Sequence, residues 1–203
     1  MNIVDASNVE IFVKENMGSY DKMTMSGKGP TFIPINTAEK NTLHISINDT
    51  VDVCLHTDML VANDIEVFER INLGKLSNVK YILIPHKIHK KSGPKKHISH
   101  LSVIEITKSH FSGYYIIHNL PSSPINEEFI YTRPCWNSAI SAAAFVGKYV
   151  KNINSCKCSG IGIGSGYSKY FTQKFPFKYN EKTQNYIKNE VKKSLHFSDC
   201  VFV

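Results

Sequence analysis

Nowhere does this chain of 203 residues reach the roughly 18 consecutive apolar residues of a membrane-crossing helix. No membrane span is expected. The opening MNIVDASNVEIFV lacks the basic-then-apolar layout of a secretory leader. Cysteine is sparse and odd in number, with five residues: Cys54, Cys135, Cys156, Cys158 and Cys200. The one close pair is C-x-C, so neither a disulfide framework nor a regularly spaced zinc site is expected. A reducing compartment is the simplest setting. No motif calls for a metal or a cofactor. Tryptophan occurs once, as Trp136, and reads as core or cleft wall.

Acidic residues are also short: 17 Asp and Glu against 24 Lys and Arg leave a formal charge of +7. Much of the excess lies in HKIHKKSGPKKHISH, residues 86–100, where Lys87, Lys90, Lys91, Lys95 and Lys96 stand among four histidines and no acid. Such a stretch suits phosphate contacts with RNA or another polyanion; it also suits a solvated loop.

What is abundant is short apolar runs. SNVEIFVKENMG reads as a helix, with Ser7 and Glu10 at capping-box spacing and Gly18 as its stop. TFIPI, TLHISI, VDVCLH, IEVFERI and VKYILI follow, separated by polar or glycine breaks. Beyond the basic stretch come LSVIEIT, GYYIIHN, EFIYT, SAISAAAFV and CKCSGIGIG. Short strands at this spacing point to sandwiches or barrels. TQNYIKNEVKKSL reads as a closing helix with Tyr186, Ile187, Val191 and Leu195 as its stripe. The expectation is an all-β chain of two lobes with short terminal helices. Residues 1–85 hold the first helix and barrel, 86–100 a basic linker, and 101–203 the second barrel and last helix.

Four glycines alternate in CKCSGIGIGSGYSKYF: Gly160, Gly162, Gly164 and Gly166. The spacing matches neither the dinucleotide fingerprint nor the P-loop, and no apolar helix follows directly. In a strand, period two would place all four on one face, bare of side chains. Glycine weakens a strand unless something must approach it closely. The expectation is a cleft-lining strand, with a curved barrel strand as the plainer alternative.

In their order, these features resemble the chymotrypsin-like cysteine proteases of picornaviruses and related positive-strand RNA viruses. VEIFVKENMGSYD is similar to the family's N-terminal helix and first strand. NDIEVF falls at the acid position, LSNVKYILIPH at the inter-barrel segment and YTRPCWNSAI at the nucleophile. CSGIGIGSGYSKYF resembles the strand that walls the substrate pocket. The resemblance implies a double β-barrel endopeptidase that processes a polyprotein in the host cytoplasm. Its partners would be a polypeptide substrate and RNA bound through the linker. Cys135 would be the nucleophile, His44 the base, Glu66 the orienting acid, and Gly160, Gly162 and Gly164 the substrate-pairing strand. His56 is a second candidate base. Arg133-Pro134-Cys135-Trp136-Asn137 departs from the family's G-x-C-G-G, whose glycines build the oxyanion hole. The histidine that reads glutamine there falls at Gly162.

Two other classes fit parts of the chain. Two-histidine phosphoesterases use paired H-x-[ST] motifs, and HIS occurs at His44 and His97 and HLS at His100. Cyclic or 2′,5′-linked nucleotides would be their substrates. A catalytically inactive barrel that binds RNA or protein is the third class.

Overall fold

The structure, a computed structural model, describes residues 2–90, 97–118, 137–171, 180–196 and 199–203. It overturns the all-β double barrel. The core is one parallel sheet of eight strands with helices packed on both faces. The strands are β1 (Asn2–Val4), β2 (Lys22–Ser26), β3 (Thr42–Ile47), β4 (Met59–Val61), β5 (Tyr81–Pro85), β8 (Tyr114–His118), β9 (Ser155–Ser159) and β10 (Asp199–Phe202). Their order is β1-β8-β5-β4-β3-β2-β9-β10. Between β5 and β8 in sequence, β6 (Lys87–His89) and β7 (His97–Ser99) form an antiparallel hairpin. Strands from before and after residues 86–100 thus share one sheet, with β5 paired directly to β8.

Every central strand is covered on both sides, which is why the strands read as short continuous apolar runs. Alternate residues go to opposite layers. Tyr81 and Leu83 of β5 face one cluster with α1 (Val9–Met17), α4 (Ser138–Tyr149) and α5 (Glu181–Leu195). Ile82 and Ile84 face the other, with α2 (Ile65–Arg70) and α3 (Leu101–Thr107).

Three segments read as strands are helices. IEVFERI forms α2, where Ile65, Val67 and Phe68 are buried. LSVIEIT forms α3, burying Val103, Ile104 and Thr107 at i, i+1 and i+4. Both are so short and rich in Ile and Val that periodicity alone does not separate helix from strand. SAISAAAFV lies in α4, which is apolar all round because the sheet and α5 cover it. TFIPI and VDVCLH form no strand; the latter runs out of a 3-10 turn at Asn48–Asp52. EFIYT lies outside the described residues. The Ser7–Glu10 capping box is also absent. Asn8 is the N-cap of α1, without a side-chain cap bond, and Ser7 instead bonds the Asp5 carboxylate. Among the described residues, no helix is long and apolar enough to cross a membrane.

His118 ends β8 in the interior, and burial pushes its imidazole pKa down to about 3. In the unfolded chain the same ring takes a proton near pH 6.5. Protons below that pH therefore favour the unfolded state. The His118 contribution is intact above about 6.5 and falls by roughly 1.4 kcal/mol per pH unit toward its folded pKa. Urea melts are expected to lose about 2 kcal/mol between pH 6.5 and 5 from this site, and His118→Gln should flatten the slope.

Candidate functional site

In open parallel sheets, ligands bind beyond the carboxyl ends of strands where the chain order reverses. Here that point lies between β2 and β9. From β2 the chain proceeds to β3 on one side; from β9 it proceeds to β10 on the other. A crevice opens there, with about 110 Å³ of space. Its walls are the segments that leave β2, β3, β4 and β9, together with the start of α4, Tyr167 and two residues of α5.

The glycine-rich stretch is a loop, which corrects the strand reading. β9 ends at Ser159, and Gly160, Gly162, Gly164 and Gly166 have φ of 62°, 71°, 70° and 87°. The residues between them do not share this positive φ, so its sign alternates along the loop. The Gly160 N–H donates to Thr31 Oγ1 at 3.2 Å. In an extended strand glycine would be merely tolerated; here only glycine adopts the backbone without strain. Gly160 also meets the β2 loop backbone to backbone. Gly27 N–H donates to Ser159 O at 2.8 Å, and Gly29 N–H to Gly160 O at 2.8 Å. A Cβ on Gly29 would lie 2.6 Å from Gly160 O. The loop is pinned on its far side by Gln184 of α5, whose Oε1 accepts the Gly162 N–H at 3.0 Å. Among the described residues, the Ile161 N–H has no partner.

Two cations line this crevice. Lys28, between the paired glycines, places Nζ 3.0 Å from Asp49 Oδ2. Arg70, at the end of α2, donates from Nε to Asp49 Oδ1 at 3.1 Å and from Nη2 to Oδ2 at 3.2 Å. Asp49 is fully buried, whereas the side chains of Lys28 and Arg70 are 13% and 35% exposed. Burial pushes the Asp49 carboxyl up, but Lys28 and Arg70 outweigh it and hold the group below the usual carboxylate range. Lys28 and Arg70 carry one charge more than Asp49, and the Asp64 carboxylate on the same lining offsets it. The ring of Tyr167 packs 5.5 Å from Lys28 Nζ.

The start of α4 closes the third side. Asn137 caps it by accepting from the N–H groups of Ala139 and Ile140. Ser138 Oγ donates to Asn48 Oδ1 at 3.0 Å and accepts from the Asn63 N–H at 3.1 Å. Asn48 itself has φ 56°, the left-handed region that asparagine tolerates. These bonds aim the positive end of the helix dipole at the crevice from beyond β3 and β4. Asp64 also lines it, and its carboxylate is 2.8 Å from His89 Nδ1 of the β6–β7 hairpin.

Of the residues expected to form a catalytic triad, His44 and Glu66 do not line the crevice. Cys135 lies outside the described residues. His44 is buried in β3 with both ring nitrogens engaged: Nδ1 is 2.7 Å from Thr24 Oγ1, and Nε2 accepts the Glu39 N–H at 3.0 Å. Burial holds its imidazole below the usual range despite the nearby acids Asp58 and Glu39. Glu66 sits in the first turn of α2 rather than on a strand. Gly160 lines the crevice, Gly162 bonds α5, and Gly164 lies against Pro30. His97 and His100 belong to the hairpin region, where His97 packs edge-on against His89 and His100 lies at a tilt against His86. Lys87 is exposed on β6 and Lys90 is half-buried after it, whereas Lys91, Lys95 and Lys96 lie outside the described residues. Sequence reasoning missed Lys28, Asp49 and Arg70. The available signal was G-K-G directly after the apolar-polar run KMTMS, a glycine turn leaving a strand.

No known protein family, no curated protein and no solved structure matches this chain.

Proposed function

We propose that this chain binds a phosphorylated small molecule of the nucleotide class in the crevice between the ends of β2 and β9. One observation carries the reading. A loop of positive-φ glycines, two cations and a capped helix start converge on the carboxyl edge where the strand order reverses. The Ile161 N–H and the positive end of the α4 dipole suit a phosphate's oxygens, and Lys28 and Arg70 supply its counter-charge. The space, about 110 Å³, fits a phosphate group and its ester link rather than a whole nucleotide, so the rest of the ligand lies across the mouth. Tyr167 offers that portion an aromatic face. The hairpin that follows β5 rises from the same sheet end, and its His89–Asp64 pair ties it to the crevice wall.

Calorimetric titration with pyrophosphate, AMP, ADP and a short single-stranded RNA tests this. Saturable one-to-one binding of ADP or pyrophosphate is expected, weakening with salt. Lys28→Met should lower the affinity at least about tenfold, a loss of roughly 1.4 kcal/mol, while Arg70 still pairs with Asp49. No binding of any phosphate compound at millimolar concentration would reject the reading. Tight RNA binding that survives Lys28→Met would move the phosphate contacts to the basic hairpin.

A further inference from the structure

We propose that Cys156, Cys158 and Cys200 form a site for a thiophilic d10 metal ion, Zn2+ or Cu+, at the β9–β10 edge of the sheet. The three Sγ atoms all lie within 4.8 Å of one another. The fold creates this convergence. Cys156 and Cys158 are two apart on β9, so both side chains leave the same face, and their sulfurs are 3.3 Å apart. β10 runs parallel to β9 with Cys200 directly opposite Cys156, which brings a third thiol to that face. A four-coordinate zinc with Zn–S bonds of about 2.3 Å holds its sulfurs about 3.8 Å apart. The Cys156–Cys158 separation of 3.3 Å lies just under that spacing and no separation exceeds 4.8 Å, so side-chain rotation is enough to close the site.

Three thiols favour an ion over a disulfide. A disulfide joins two sulfurs and leaves the third beside it, whereas a metal engages all three. The donor set contains sulfur alone, which selects soft ions such as Zn2+ and Cu+. Cys156 and Cys158 are buried and Cys200 is half-buried, so β10 offers an entry path from solvent. Lys188 and Lys192 of α5 lie near Cys200 and offset the negative charge that three thiolates bring. Bound metal would fasten β10, a strand of four residues at the sheet edge, to β9. The cluster lies in the body of the strands, facing α5, and does not depend on the crevice at their ends.

The test is equilibrium dialysis of the reduced, metal-free protein against Zn2+ and, anaerobically, Cu+, with Co2+ as a spectroscopic probe. One ion per chain is expected, with a near-ultraviolet thiolate-to-cobalt charge-transfer band. Cys200→Ser should lower affinity at least 100-fold, and Cys54→Ala should leave it unchanged. The Zn2+ and Cu+ arms decide which ion is preferred. Wild-type affinity in Cys200→Ser, or retention of less than one ion per chain by the wild type, would overturn the proposal. Should Cys200→Ser fail to fold, the cobalt spectrum of the wild type decides, and absence of the charge-transfer band is the contrary result.

Discussion

Gly147→Ala is expected to destabilise the protein by about 3 kcal/mol, the upper end of the usual range for overpacking. Gly147 lies in α4 where that helix crosses α5. A Cβ there would collide with the Ser194 carbonyl oxygen, 2.9 Å from Ser194 C and 3.2 Å from Leu195 Cα. Each of these is backbone, so no rotamer change relieves the overlap. Alanine is the better helix former by roughly 1 kcal/mol, and in an isolated α4 the substitution would help. The predicted loss therefore isolates the close approach of the two helices. Urea denaturation measures it. A loss under about 1 kcal/mol would mean that α4 and α5 do not cross at this glycine.

Asp49→Asn is expected to cost a similar amount, about 3 kcal/mol, by removing a buried charge from between two cations. The fully buried Asp49 accepts from both Lys28 and Arg70. Arg70 is exposed enough to turn partly to solvent; Lys28, with a side chain 13% exposed, is not. Loss of the Asp49 charge beside the Lys28 ammonium is thus the main source of the cost. Asp49→Asn combined with Lys28→Met should cost less than the sum of the two single changes, since the two side chains form one ion pair. Strict additivity would show that the pair is uncoupled. The acid limb follows from the same geometry. The folded Asp49 carboxyl titrates below its ordinary value, so its contribution is intact above about pH 4. It is lost as pH falls further, through the folded pKa.

The parts of the fold legible in the sequence were those whose character is local. The amphipathic pattern of α5 marks it as a helix, and the segment TLHISI coincides with β3 (Thr42–Ile47). YILIP and YYIIH within the expected runs are β5 and β8. The class was misread because the distinction depends on tertiary context. Buried parallel strands of three to five residues and helices of six or seven carry nearly the same apolar content. KMTMS, the β2 strand that borders the crevice, was passed over, its alternation being too short to stand out. The Ala-rich α4 with Asn137 ahead of it did carry a usable signal, an N-cap followed by the strongest helix former.

The glycine stretch, read as a strand, is a loop beyond β9. Period two in sequence suits a strand, and it suits equally a loop of alternating φ sign; only the backbone separates them. Lys28, Asp49 and Arg70 become one unit because β2, β3 and α2 end at the same sheet edge. The third thiol near Cys156 and Cys158 likewise depends on the register of β10 against β9. Neither grouping has a spacing in sequence that could reveal it.

The central claim, a phosphate site formed by the β2 and β9 loops, is tested most directly by backbone NMR of uniformly 15N-labelled protein titrated with ADP. The account predicts saturable shifts concentrated on the amides of Gly27, Lys28, Gly29, Gly160 and Ile161, lost in Lys28→Met. Saturable shifts confined to other parts of the sheet, or none at these five amides at millimolar ADP, would contradict it.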